Sequence, residues 1–255
     1  MEGRRPRYLL HPQIWCVYPM SVFNFKQFSV NQANCAMKIN TDGVLVGALA
    51  EAGSPENIMD IGTGTGVIAL MLAQRFANAH VDAVEIDEVA AETARANFSG
   101  SQFADRMAVH ATSFEVFFEQ HPDSKYDLIV SNPPFFLNSL EAIGAKKNLA
   151  RHTDEGFYKR LLTAVAQHLT DNGTYQLVLP VQTANLVKTL LARNQLYLHK
   201  QLAIRSFTTD VPHREILVFG RDERPLKEES FVIYVSHKVY SQEYKTALKD
   251  FLTIF

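Results

Sequence analysis

Four consecutive residues carry the most chemistry in this chain. The stretch "YDLIVSNPPFF", Tyr126–Phe136, sets Asn132, Pro133, Pro134 and Phe135 where an apolar run stops. Prolines lack an N–H and fix φ, so neither can extend a sheet. The Asn132 side-chain carbonyl can accept a hydrogen bond from an amine. The Pro133 main-chain carbonyl can accept another, because Pro134 holds the residue before it extended. The Phe135 ring can lie flat on a planar group, and such stacking is worth roughly 1–3 kcal/mol per base. A planar exocyclic amine, such as N6 of adenine, fits that set. Two acceptors on its two protons release a lone pair otherwise delocalised into the ring. The chemistry is then the positioning of a poor nucleophile by preorganised dipoles. Alone, the same residues also read as a rigid turn with aromatics filling the core.

A second motif changes that balance. "DIGTGTGVIALMLAQR" places Asp60 before Gly62, Gly64 and Gly66, and a helical pattern follows. Glycines allow a tight turn and close approach of a ligand to the backbone. The spacing matches neither the dinucleotide fingerprint nor a P-loop. Glu85 closes the next strand about twenty residues later, where an acid can accept both ribose hydroxyls of an adenosine group. Asp60 would repel a pyrophosphate but suits an ammonium and a sulfonium, so S-adenosylmethionine is favoured over a nicotinamide dinucleotide. Asp87 reads equally as a cofactor contact and as the cap of a helix starting at Glu88.

These motifs need a scaffold that brings strand ends together. Seven β-type runs are present: "NIMDIG", "HVDAVEID", "MAVHA", "YDLIVS", "TYQLVLP", "LYLHKQLAI" and "EILVFG". Helical patterns at 67–76, 88–98, 157–168 and 183–193 separate several of them. Alternation of strand and helix predicts an α/β fold with a mainly parallel seven-stranded sheet and helices on both faces. The last two runs lack a helix between them, which predicts an antiparallel edge hairpin. Residues 243–255 repeat Tyr244, Leu248, Phe251 and Phe255 and read as a terminal helix. In such sheets ligands bind beyond the carboxyl ends of the strands, so Asn132 shares a crevice with the glycine loop.

The chain has 255 residues, 47% hydrophobic and 20% charged, with a formal net charge of -2. That balance announces neither a basic nucleic-acid binder nor a disordered chain, though a local basic patch remains compatible with it. Cys16 and Cys35 are too few for a disulfide framework or a zinc site, so no metal is expected and a reducing cytoplasm is. No apolar run reaches the roughly eighteen residues of a membrane span. Residues 1–22 read as a poorly ordered N-terminal extension, with His11, Pro12 and Gln13 breaking any signal-like core. Residues 23–255 read as one domain, expected as a monomer.

The glycine loop, Glu85 and Asn132–Phe135 together resemble class I S-adenosylmethionine-dependent methyltransferases with a Rossmann-like fold. "FKQFSVNQANCAMKINTDGVLVGALA", "ARHTDEGFYKRLLTAV", "LVLPVQ", "VPHREILVFGR" and "YSQEYKTALKDFLTIF" are similar to the bacterial family that methylates N6 of adenosine 37 in a valine tRNA. That resemblance implies a tRNA substrate. It assigns Asp60, Gly62, Gly64 and Gly66 to the methionine end of the cofactor and Glu85 to its ribose. Thr41 and Asp42 would close the cofactor site, or cap a helix over 44–52. Asn132 would face both cofactor and target base, and Pro133, Pro134 and Phe135 the base. Where the family often carries an acid near the cofactor's adenine, this chain has Ser113, a weaker acceptor. Lys146, Lys147, Arg151, His152, Lys159, Arg160, His213 and Arg214 are candidates for RNA phosphates or plain solvated charges. Two rivals share the amide-pocket logic: methylation of a release-factor glutamine and of guanine N2 in rRNA. A binding module that has lost catalysis is a third, which the intact Asn132, Pro133 and Pro134 argue against.

Overall fold

This computed structural model describes residues 22–33, 35, 38–133 and 145–255; for 145–154 only the helical backbone is described. The chain opens with β1 (Val22–Asn24), β2 (Ser29–Asn31) and α1 (Thr41–Leu49). Alternation follows: β3 (Asn57–Ile61), α2 (Val67–Arg75), β4 (His80–Glu85), α3 (Glu88–Ser99), β5 (Met107–Ala111), α4 (Phe114–Gln120), β6 (Tyr126–Ser131) and α5 (Ala145–His168). Next come β7 (Leu169–Pro180), α6 (Val181–Leu190), β8 (Tyr197–Arg205) and β9 (Arg214–Gly220). The chain finishes with β10 (Lys227–Val232), β11 (Tyr234–Ser236), β12 (Val239–Tyr240) and α7 (Gln242–Leu248).

The main sheet has the order β10-β8-β9-β7-β6-β3-β4-β5. All neighbours are parallel except β7–β9 and β9–β8. From β3 the chain steps outward to β4 and β5, then returns to place β6 on the other side of β3. That reversal makes a switch point between β3 and β6, with a crevice beyond their carboxyl ends.

The α/β class, the parallel majority and the antiparallel β8–β9 hairpin agree with the sequence expectation. The sheet holds eight strands rather than seven, because β10 lies along the outer side of β8. Its sequence, KEESFV, starts with four exposed residues, as suits a charged edge that resists further pairing. No alternating pattern marks it. The expected terminal helix is shorter than 243–255: α7 ends at Leu248, and turns carry Phe251 and Leu252 into the core.

Period-two alternation divides the strands between two cores. Ile58, Leu128, Val130 and Val178 meet Leu45, Leu70 and Leu248 on one face. Met59, Ile129, Leu177 and Phe219 meet Phe117, Leu161 and Val187 on the other. In α2 every residue from Val67 to Ala73 is buried, as expected for a helix apolar all round. A Cβ on Gly47 would come within 3.2 Å of Met71 Cβ, so glycine lets α1 settle closely on α2. The far end of α1 is held by Gln176 on β7, whose Oε1 accepts from the Glu51 amide at 3.0 Å. The near end of α1 faces the crevice.

Candidate active site

Pairing of Ile61 with Ser131 sets Gly62 and Asn132 side by side, each one residue past its strand. The glycine loop is held by its own backbone. The Gly62 and Thr63 amides donate to Val84 O, at 2.9 and 3.1 Å, and Gly66 N donates to Thr63 O. Gly62, Gly64 and Gly66 have φ of 74°, 56° and 83°, a region that L side chains seldom occupy. A Cβ on Gly62 or Gly64 would meet nothing within 4 Å, so this rim of the loop is open to a ligand. A Cβ on Gly66 would lie 2.5 Å from Phe98 Cε1, so the third glycine serves packing against α3.

Asp60 is fully buried at the end of β3, and Thr63 Oγ1 donates to its Oδ2 at 2.6 Å. Its Oδ1 is buried with no hydrogen-bond partner. Burial pushes the carboxyl up to about 7, and the Thr63 bond and the nearby Ala69 backbone only partly offset that. Glu85 bridges the two halves of the crevice wall. Its Oε2 accepts from Gly64 N at 2.8 Å and its Oε1 from Asp87 N at 2.9 Å. A carboxylate has about four lone-pair sites, so hydroxyl donors can still be received. Asp87 takes the cap, one of its two expected roles, with Oδ1 accepting from Ala90 N at 2.8 Å.

The end of β6 is pinned from beneath. Ser131 Oγ and Tyr175 OH are 2.5 Å apart and both residues are buried. Asn132 follows, half-buried, with Oδ1 shielded and unpartnered. A Cβ on Gly43 would lie 3.5 Å from Asn132 Nδ2, an ordinary contact distance, so the start of α1 packs directly beside the amide. Pro133 is buried. Pro134 and Phe135 lie outside the described residues, as does the extension over residues 1–21.

The start of α1 is capped by Asn40, whose Oδ1 accepts from Gly43 N at 2.9 Å; neither Thr41 nor Asp42 is the cap. Thr41 is exposed at the first helical position. Asp42 instead receives Arg214 Nε at 2.7 Å. Ser113 is the N-cap of α4, with Oγ accepting from Val116 N at 3.3 Å.

The cationic candidates divide. Lys159 pairs with Glu155 at 2.5 Å and Arg160 with Glu115 at 3.2 Å. Arg214 is held by Asp42, whereas His213 is exposed beside it. The side chains of Lys146, Lys147, Arg151 and His152 lie outside the described residues; their backbone belongs to α5.

Sequence reasoning missed several supports. Asn97, buried on α3, donates to Thr65 O at 2.8 Å and exchanges bonds with the Asn31 backbone, fastening the glycine loop to β2. An amide on the apolar stripe of Ala90 and Ala94 was a readable signal. Thr63, Gly43 and the Ser131–Tyr175 pair carry no such signal, since their partners are set by tertiary contacts.

Two buried oxygens without donors, Asp60 Oδ1 and Asn132 Oδ1, thus stand at neighbouring strand ends beside an open glycine rim and an acid. A ligand bearing an ammonium and ribose hydroxyls fits the first side, and a second amine fits Asn132. Among the described residues no cluster of His, Cys, Asp or Glu is placed to hold a metal ion, and no helix is long and apolar enough to cross a membrane.

Comparisons with known proteins agree. A family described as the methyltransferase small domain matches residues 39–194. The tRNA1(Val) (adenine(37)-N6)-methyltransferase of Pedobacter heparinus is 44% identical over 92% of this chain and 99% of its own. The protein of that name from Bacteroides thetaiotaomicron is 41% identical over 90% and 96%. Among solved structures, a predicted O-methyltransferase from Agrobacterium tumefaciens aligns with TM-score 0.63 at 14% identity, covering 82% of this chain and 96% of its own. The ribosomal protein L11 methylase of Lactobacillus delbrueckii aligns with TM-score 0.54 at 17% identity, over 76% and 84%. At such identities these two likenesses speak to the fold alone.

Proposed function

The chain belongs to the methyltransferase small domain family, and from that premise we propose that it methylates N6 of adenosine 37 in a valine tRNA, using S-adenosylmethionine. The observation that carries this reading is the pair of unpartnered buried oxygens, Asp60 Oδ1 and Asn132 Oδ1, at the ends of β3 and β6. Likeness at 44% and 41% identity to proteins named for that reaction supports the substrate.

When bound, S-adenosylmethionine supplies an electrophilic methyl carbon on a sulfonium. In this reading Asp60 receives the ammonium of its methionine end, with Thr63 fixing the other carboxylate oxygen. Glu85 receives the ribose hydroxyls while its backbone bonds keep it in place. Asn132 Oδ1 and the Pro133 carbonyl accept the two protons of the target amine, turning its lone pair toward the crevice. Phe135 stacks on the purine. No strong base is required, because a newly methylated, cationic amine sheds its proton to water readily. Catalysis rests on orientation and fixed dipoles. An adenine beside the anticodon is already partly unpaired, so everting it costs little. We place the protein in the cytoplasm, with residues 23–255 acting as one domain.

The test is incubation with labelled S-adenosylmethionine and, separately, total tRNA, rRNA and release factor. Label in tRNA is expected. Label only in release factor or only in rRNA would replace this reading with methylation of a glutamine or of guanine N2.

A further inference from the structure

The β11–β12 hairpin and the loop 206–213 stand at the crevice end of the sheet without a part in the chemistry above. Because β8 and β10 run parallel to β6, their carboxyl ends open on the same side as Asn132. Four strand spacings separate β6 from β10, roughly 19 Å. The hairpin continues that edge: Ile233 N donates to Arg205 O at 3.0 Å and Tyr234 N to Ser206 O at 2.9 Å.

Its root is stiff and its tip is presented outward. Tyr234 stacks on Tyr240 at 5.1 Å, and Tyr240 on Tyr244 at 4.7 Å with the planes 8° apart. Tyr244 is buried, so the ladder anchors the hairpin in the core. At the tip, Val235 is 64% exposed and Val239 46% exposed, flanking exposed His237 and Lys238. Lys238 adopts φ 61°, a conformation that glycine would adopt more easily. On the loop 206–213, Val211 is 82% exposed and His213 exposed. Two neighbouring acids are turned to the backbone: Asp210 Oδ2 accepts from Phe207 N and Glu243 Oε2 from Val232 N. Both acids keep their charge, so the positive charge of the tip itself is that of Lys238.

We propose that this rim, His237 and Lys238 above all, is a docking surface for the tRNA backbone, holding phosphates while the target base reaches Asn132. The proposal rests on the tRNA reading of the site. Apolar Val235 and Val239 suit sugar faces, Lys238 suits a phosphate and the His237 ring N–H can donate to one, and contacts of this kind set register rather than sequence.

The experiment compares wild type with the double variant His237→Ala, Lys238→Gly, the glycine retaining the turn. Steady-state methylation of tRNA is measured over a salt series, with S-adenosylmethionine affinity and thermal midpoint in parallel. The expected result is a KM for tRNA raised about tenfold and a log–log salt slope reduced by about one, with kcat, cofactor affinity and midpoint unchanged. An unchanged KM and slope would overturn the docking surface while leaving the tRNA reading intact. A matching loss of cofactor affinity or midpoint would overturn it too, by showing a structural role. A wild-type protein that methylates no tRNA would instead overturn the reading on which it rests.

Discussion

Arg214 Nε donates to Asp42 Oδ2 across 2.7 Å, joining the first residue of β9 to the first turn of α1. Both side chains are mostly shielded, at 25% and 16% exposure. The bond fixes the near end of α1, where Gly43 lies against Asn132, while Gln176 fixes the far end. A helix tied at both ends is a rigid wall for the amide. Arg214→Ala should therefore destabilise the fold by about 1.5–3 kcal/mol, the range for a hydrogen bond to a charged group. It should also lower kcat by up to about a hundredfold if the wall moves. Chemical denaturation and steady-state kinetics check both. Adding Asp42→Asn to Arg214→Ala should cost little more, since the pair is already broken.

Glu85 performs two tasks, closing the glycine loop through Gly64 and Asp87 and offering its outer lone pairs to a ribose. Glu85→Ala should weaken S-adenosylmethionine binding by about 1.5–3 kcal/mol. Calorimetric titration measures it. Unaltered affinity would remove the ribose assignment.

Asp60 makes cofactor binding depend on pH. Burial raises its carboxyl to about 7, so the cofactor-free site is largely protonated below that pH. An ammonium requires the carboxylate, and binding must then release a proton. Affinity should fall about tenfold per pH unit below the raised value and level off above it. Calorimetry in buffers of different ionisation heat would detect the proton. The stability consequence has the opposite sign. A raised carboxyl contributes stability that is present below its ordinary value of 3.8 and lost as pH rises to about 7. Asp60→Asn should flatten both profiles, and the midpoint of the cofactor-free protein followed from pH 4 to pH 8 reads the second.

Gly66 and Gly64 separate packing from access. Gly66→Ala places a methyl on the buried Phe98 ring at positive φ and should cost more than about 2 kcal/mol. Gly64→Ala meets no atom and should cost about 1 kcal/mol, from backbone strain alone. It should nevertheless weaken cofactor binding, because its Cβ enters the open rim. Denaturation midpoints and cofactor affinities of the two variants distinguish these effects.

The parallel core was legible because its strands are buried on both faces and carry short unbroken apolar runs such as "LIV" at 128–130. The chemistry was legible where a residue type is forced, as with glycines at positive φ and Asn132 before two prolines. Edge structure was not. Strand β10 opens with Lys227, Glu228 and Glu229, charges that protect an edge and conceal a strand. Helix α4 was missed although Phe114, Phe117 and Phe118 lie at helical spacing, since seven residues give little periodicity. The Asp42–Arg214 bond joins residues 172 apart, and no local pattern announces it.

Nucleoside mass spectrometry of valine tRNA, after incubation with S-adenosylmethionine and either wild type or Asn132→Ala, tests the amide pocket most directly. The account predicts N6-methyladenosine from wild type and a rate at least about a hundredfold lower from the variant, whose cofactor affinity stays near normal. N6-methyladenosine formed at an undiminished rate by the variant, or a wild-type methyl found on another atom, would contradict it.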